Sequence, residues 1–211
     1  ISKGLLREAK HVMNRNCQSI AKLLRDHPDK KVIGIEPSAL LTFRDEMPDL
    51  VDAEHRDTAK SLASRSMLLD EYLAEELKAG RVDASVFSGS GNVVLHGHCH
   101  QKAIVGTGST HTVLTEAGYK VRELPTGCCG MAGSFGYQKK HYELSMKVGE
   151  LVLFPALRDA DDSEIVAAPG TSCRHQIADG TNKAAVHTIL GLYGRLATAL
   201  VSSCPHTGCA T

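Results

Sequence analysis

The sequence predicts an α/β fold: a mainly parallel sheet flanked by helices. Three observations lead there. Short apolar runs such as Val32-Ile33-Gly34-Ile35, Val93-Val94-Leu95 and Ile165-Val166-Ala167 are too brief for helices and end in glycine or proline turns. Stretches with apolar residues three and four apart lie between them. Strand and helix alternate along the chain, and a helix is the usual crossover between parallel neighbours.

Each element is justified by its local pattern. Leu6, Ala9, Met13, Cys17, Ile20 and Leu24 form one helical face, and Pro28 lies beyond its end. Residues 32–35 read as a short buried strand. The turn Glu36-Pro37-Ser38 offers Ser38 as a helix cap. Arg44-Asp45-Glu46 reads as a solvated helical face. Leu62, Ser66, Leu69, Leu73 and Leu77 form a second helical stripe closed by Gly80. Ser88-Gly89-Ser90-Gly91-Asn92 is a loop and divides the chain into residues 1–90 and 91–211.

The second part repeats this grammar. Residues 93–95 are a strand, 96–100 its loop, and 101–117 a helix ending at Gly118. Residues 119–124 are a strand and 125–136 a glycine-rich loop. Residues 137–154 are read as a helix with Leu144, Val148 and Leu151 inward. A strand at 165–167, a loop at 168–173, a short strand at 185–187 and a helix from 188 to about 201 complete the series. The segment 32–39 resembles 165–173 with one gap: strand, proline turn, serine, small residue. Two related halves are expected, the first incomplete at its start.

Composition narrows the function. The chain has 211 residues, 24 lysines and arginines against 24 acidic residues, and is 42% hydrophobic. Zero net charge argues against a nucleic-acid binder, which needs a basic surface. The apolar fraction is too high for disorder. No run approaches the roughly 18 apolar residues of a spanning helix, and no signal peptide is visible. The chain opens on Ile1 rather than methionine and reads as a piece of a longer or processed polypeptide. Seven cysteines without a leader point to a reducing, cytoplasmic setting in which thiols persist or bind metal.

Four of those cysteines come after strands: Cys99, the vicinal pair Cys128-Cys129, and Cys173. Loops at the carboxyl ends of parallel strands share one sheet edge, so these thiols can converge. Convergent thiolates suit an iron–sulfur cluster or zinc. Gly127, Gly130, Gly133 and Gly136 recur every third residue around the pair and can bring backbone amides close to an anionic centre. His96, His98 and His100 alternate around Cys99, and His175 stands two residues after Cys173. Zinc on the cysteines with a histidine such as His98 is therefore the rival reading. A thiol nucleophile at Cys128 or Cys129 is a third, with no assignable base. Cys17 reads as core packing, and Cys204 and Cys209 as a tail without function. No dinucleotide fingerprint, P-loop or nucleophile elbow is present.

The segments His96-Gly97-His98-Cys99-His100-Gln101-Lys102, Gly127-Cys128-Cys129-Gly130-Met131-Ala132-Gly133-Ser134-Phe135-Gly136 and Gly170-Thr171-Ser172-Cys173-Arg174-His175-Gln176 resemble the cysteine-rich CCG domain. That domain occurs in heterodisulfide reductase, anaerobic glycerol-3-phosphate dehydrogenase and glycolate oxidase iron–sulfur subunits. The sequence is most similar to its version at the C-terminus of FAD-linked D-lactate or D-2-hydroxyacid dehydrogenases. Glu36-Pro37-Ser38 and Arg44-Asp45-Glu46 resemble the latter part of a preceding copy. Ser2-Lys3-Gly4 resembles the stretch just after that copy's own cysteine pair.

The resemblance implies that Cys99, Cys128, Cys129 and Cys173 are metal ligands of the second copy. His98 and His175 are further candidates, and Gly127, Gly130 and Gly133 form the cradle. It implies an iron–sulfur cluster of the 4Fe-4S kind, FAD on an upstream domain of the same polypeptide, and a quinone or redox protein as electron acceptor. It also implies a cytoplasmic location, with peripheral contact at the inner face of the membrane as the variant. Two departures stand out. Many members carry a further cysteine where this chain has Gln176, and Ala39 stands in the first half where Cys173 stands in the second.

Overall fold

A computed structural model of the chain describes residues 1 and 3–197. Ser2, Cys204, Cys209 and residues 198–201 of the last expected helix lie outside the described residues; within them that helix stops at Tyr193, and Leu196 bridges Phe87 instead. The protein is α/β, with parallel strands between helices.

The first part runs α1 (Leu6–Asp26), β1 (Val32–Gly34), α2 (Pro37–Arg44), α3 (Glu46–Leu50), α4 (Arg56–Arg65), β2 (Ser66–Leu68) and α5 (Leu69–Lys78). β1 and β2 pair in parallel, Val32 opposite Ser66. The stripe of α1 buries Met13, Cys17 and Leu24 against Met47, Val51, Ala59 and Leu62. Pro37 takes the first helical position of α2, where its missing N–H costs no bond.

The second part runs β3 (Gly91–Leu95), α6 (Cys99–Ile104), α7 (Gly108–Glu116), β4 (Tyr119–Glu123), α8 (Tyr142–Glu150), α9 (Leu153–Arg158), β5 (Ile165–Ala167), α10 (Thr171–Thr181), β6 (Ala185–Val186) and α11 (Thr188–Tyr193). Its sheet has the order β4-β3-β5-β6, and every pairing is parallel. The two-residue period of a strand splits the core. Val94 and Val166 pack with Leu153, Phe154, Leu157 and Ile177 on one face. Val93, Leu95 and Ala167 pack with Val113, Leu114 and Leu192 on the other, joined by Leu73 and Leu77 of α5. α5 thus comes after the small sheet in sequence yet covers the large one. Each fully buried Val, Leu, Ile or Phe among these contributes about 1.5–3 kcal/mol.

Several local expectations are corrected. The stripe from Leu62 to Leu77 is not one helix: Ser66-Met67-Leu68 is a buried strand between two helices. Residues 101–117 split into α6 and α7 at Gly106, whose φ is +73°. Residues 137–154 begin as turns and become helical only at Tyr142, and Leu144 (54% exposed) and Leu151 (77%) face solvent; Ser145 and Gly149 point inward instead. Ile33 and Ile35 are exposed, so the first strand is not buried. Ser38 does not cap α2; its hydroxyl donates to Glu36 Oε1 at 2.8 Å. Arg44 is not a free solvated side chain: it donates to both carboxylate oxygens of Glu71 at 2.9 and 3.0 Å. Among the described residues no helix is long and apolar enough to cross a membrane.

Candidate metal centre

Parallel strands open all their carboxyl-end loops along one edge. Here that edge gathers His96 after β3, Thr126 to Cys129 after β4, and Gly170 to Cys173 after β5. Cys99 opens α6, where the side chain of His98 caps the helix by accepting the His100 N–H at 3.2 Å. Cys129 and Cys173 are 2% and 1% exposed, whereas Cys99 and Cys128 are half-buried.

The four thiols form a connected set. Cys99 hydrogen-bonds Cys128, Cys128 also bonds Cys129, and Cys129 bonds Cys173. Their acidities alternate as a result. Donation from the Cys129 and Cys99 thiols, with the N–H groups of Gly130 and Ala132, brings Cys128 down to about 2. The Cys129 thiol, then the His96 ring, bring Cys173 down to about 5. Cys99 is pushed up by its bond to Cys128 and by burial. Cys129 is pushed up by its bonds to Cys128 and Cys173 and by burial. Cys128 and Cys173 are thus the two sulfurs biased toward the deprotonated form that a metal requires.

Backbone geometry supports the set. Gly130 donates its N–H to Cys128 Sγ at 3.3 Å. Its φ is +98°, and a Cβ there would meet the Ser145 carbonyl oxygen at 2.2 Å. Gly170 lets α10 approach: a Cβ would stand 2.3 Å from His98 Cδ2 and 3.3 Å from Cys173 Sγ. Gly127 has open space around it, and Gly133 is exposed with φ +67°. Of the cradle glycines, Gly130 is the one whose amide is seen bonding a sulfur. Lys102 Nζ donates to the carbonyl oxygens of Thr126 and, at 3.3 Å, Gly127, tying α6 to the loop before the vicinal pair.

The histidines separate. His98 is buried beside Cys173, and burial lowers its pKa despite the nearby Cys173 and Glu36 charges. Its Nδ1 is engaged at the start of α6. His175 is exposed, and its Nδ1 lies 2.7 Å from the Tyr137 hydroxyl rather than among the thiols. The sequence set His96 beside His98 and His100 and favoured His98 as the ligand. The His96 ring is fully buried, and one ring nitrogen lies within 4.8 Å of the Cys129 and Cys173 sulfurs, which are themselves that close to each other. Nδ1 meets Thr126 Oγ1 at 2.7 Å, and Nε2 is buried without a hydrogen-bond partner. Its place as the residue directly after β3 was the available signal. Cys17 sits in the core of the first part, as its stripe implied.

The first part of the chain reaches this site. Glu36 Oε2 accepts the Thr171 N–H and hydroxyl, both at 2.9 Å, at the start of the helix that carries Cys173. His187 Nε2 contacts the Ile35 carbonyl at 2.8 Å. His100 Nε2 lies 3.7 Å from Asp45.

Two buried and two half-buried sulfurs, with a buried imidazole nitrogen that lacks a hydrogen-bond partner, form a donor set suited to a soft or borderline metal. The chain is 30% identical over 148 residues to D-2-hydroxyglutarate dehydrogenase of Escherichia coli K12, covering 69% of this chain and 14% of that protein. It is 29% identical over 149 residues to the enzyme of the same name from Pantoea ananatis, with 69% and 14% covered. It is 27% identical over 169 residues to one subunit of the anaerobic glycerol-3-phosphate dehydrogenase of Escherichia coli K12, covering 79% of this chain and 40% of that subunit. The chain therefore spans 14% of the length of the D-2-hydroxyglutarate dehydrogenases it matches. No protein-family model and no solved structure matches it.

Proposed function

We propose that this chain, a homologue of CCG-type parts of larger dehydrogenases, is the electron-transfer region of a flavin-linked dehydrogenase acting on a 2-hydroxyacid. In this role Cys99, Cys128, Cys129 and Cys173 hold an iron–sulfur cluster. Its flavin belongs to another part of a longer polypeptide, and its electrons go on to a quinone or a redox protein. A cytoplasmic place, peripheral to the membrane when the acceptor is a quinone, belongs to the same proposal.

The convergence of four thiols from three strand-end loops carries it. Relatives named as dehydrogenases supply the oxidoreductase context. The cluster, when bound, supplies one-electron storage between flavin and acceptor. The chain's own residues do the rest. Cys129 and Cys173 anchor the buried side, while Cys99 and Cys128 form the side nearer solvent, where an electron enters or leaves. The Gly130 N–H holds the Cys128 sulfur and stabilises negative charge on it. Lys102 fixes the loop that presents both vicinal thiols.

We also assign residues 1–90 to the latter part of one repeat and 91–211 to a second. The parallel pair β1–β2 resembles β5–β6 in that each strand is followed by a helix, the first part carrying α3 and α4 as extra helices before β2. The test is anaerobic reconstitution with iron and sulfide, then metal and sulfide analysis. Iron and sulfide in stoichiometric amount, lost in Cys129→Ser and kept in Cys17→Ser, is the expected result. Stoichiometric zinc with no iron uptake would overturn the cluster in favour of a zinc module.

A further inference from the structure

We propose that His96 is itself a ligand of the metal centre, its Nε2 completing a mixed nitrogen–sulfur set with Cys129 and Cys173 at the buried end. The inference rests on the thiol set holding a metal at all. Four observations lead to it.

The three donor atoms lie within 4.8 Å of one another, and the three residues are at most 2% exposed. Nε2 is buried and makes no hydrogen bond of ordinary geometry, and the neighbour whose acidity the ring raises is the Cys173 thiol, so the nitrogen faces sulfur rather than water or a carbonyl. The ring is held from its far side: Nδ1 meets Thr126 Oγ1 at 2.7 Å, and Lys102 bonds the carbonyl of the same threonine. Metal-binding imidazoles are oriented in this way, by a hydrogen bond on the nitrogen that does not face the metal. Finally, Gln176 is not free to act. It is 1% exposed, and its amide donates to the Ser145 carbonyl and hydroxyl oxygens, both at 3.0 Å. The buried end thus offers two sulfurs and one nitrogen.

An imidazole is a neutral donor where a thiolate brings a negative charge. Exchanging one for the other raises the reduction potential of an iron–sulfur centre. His96 therefore also sets the centre's potential, and a cysteine in its place would lower it.

The test uses Co(II) alone as the probe, titrated anaerobically into the protein and into His96→Ala and His96→Cys. Cobalt reports its donors through ligand-field and sulfur-to-metal charge-transfer bands. Outer partners of a ligand are worth about 10–100-fold in affinity, so loss of the ligand itself should cost at least about 100-fold. His96→Ala should lose that much with the charge-transfer intensity per bound cobalt unchanged. His96→Cys should regain binding with one thiolate's intensity added. Protein carrying 15N-histidine, with no substitution, should show a directly bound nitrogen by pulsed electron paramagnetic resonance, and should keep it in His98→Ala. This last measurement stands even where His96→Ala fails to fold. Normal cobalt binding without a bound nitrogen would remove His96 and leave the thiol centre standing. No uptake of cobalt, zinc or iron by the unaltered protein would overturn the metal centre and His96 together.

Discussion

Replacing Glu36 by alanine should loosen the helix that carries Cys173. α10 begins after Gly170, which has no side chain with which to cap it. Glu36, 135 residues earlier, supplies the missing acceptor: its Oε2 takes the Thr171 N–H and hydroxyl at 2.9 Å each. Loss of a capping acceptor costs about 1 kcal/mol. Loss of a negative charge at a helix start adds about 0.3–1 kcal/mol, taken near the lower end because the carboxylate is half-exposed. Glu36→Ala should therefore cost about 1.5 kcal/mol, and Glu36→Gln about a third of that.

Urea unfolding should show a lower midpoint at unchanged slope, with the melting temperature down by about 3–6 °C. A double-mutant cycle with Thr171→Ala should return a coupling of about 0.5–1 kcal/mol. Acidity gives a second check. Burial raises the Glu36 pKa, but the bonds from Thr171 and Ser38 outweigh it, and the net shift is downward. A depressed carboxylate stabilises the fold above its ordinary range near about 4.3 and loses that contribution as pH falls through the folded value. The gap between wild type and Glu36→Ala should close in acid. Equal midpoints, zero coupling or a gap independent of pH would each refute the cap.

Two further outcomes concern other buried contacts. Gly130→Ala forces a Cβ against the Ser145 carbonyl at a φ of +98°. It should destabilise by at least about 2 kcal/mol and slow alkylation of Cys128 in metal-free protein at mildly acid pH, as the amide draws away from the sulfur; unchanged labelling would count against the cradle. Asp70 lies buried among the starts of α5, α7 and α11, accepting from Thr110 at 2.7 Å with Thr188 at 3.4 Å, and burial raises its pKa. A raised carboxylate favours folding below its ordinary pKa, and that benefit disappears as pH rises through the folded value. Asp70→Asn should therefore gain on wild type as pH rises above about 4, the ordinary carboxylate value, as tracked by urea midpoints; a constant difference would show the carboxyl is not desolvated.

The sequence displayed the thiol-bearing loops plainly because β3, β4 and β5 are each followed within two residues by histidine or proline, and those loops locate the thiols. β2 was hidden for a physical reason: Ser66-Met67-Leu68 is buried throughout, so it lacks alternation and falls into a helical spacing with Leu62 and Leu69. The exposure of Leu144 and Leu151 was equally illegible, since Ser145 and Gly149 are chosen for close approach rather than apolarity: a Cβ at Gly149 would strike Phe154 at 2.3 Å. His96 was not singled out because three alternating histidines look alike in sequence. What separates them is anchoring: His96 is tied by its N–H to the Ala167 carbonyl of β5, while His98 caps a helix. Contacts such as Glu36 with Thr171 span 135 residues and carry no local signal.

The uneven depth of the four sulfurs also fixes where the protein is chemically vulnerable. Thiolates attack the O–O bond of peroxide, and Cys128 is both the most acidic of the set and half-open to solvent. Its sulfenic acid, formed with release of water, would stand beside the thiols of Cys99 and Cys129 and condense with one of them to a disulfide, releasing a second water. Two donors would vanish in one step, while Cys173 at the sealed end stayed intact. Peroxide would thus oxidise the metal-free protein from its outer rim inward, and a dithiol reductant would restore the donors so long as the damage stopped at the disulfide.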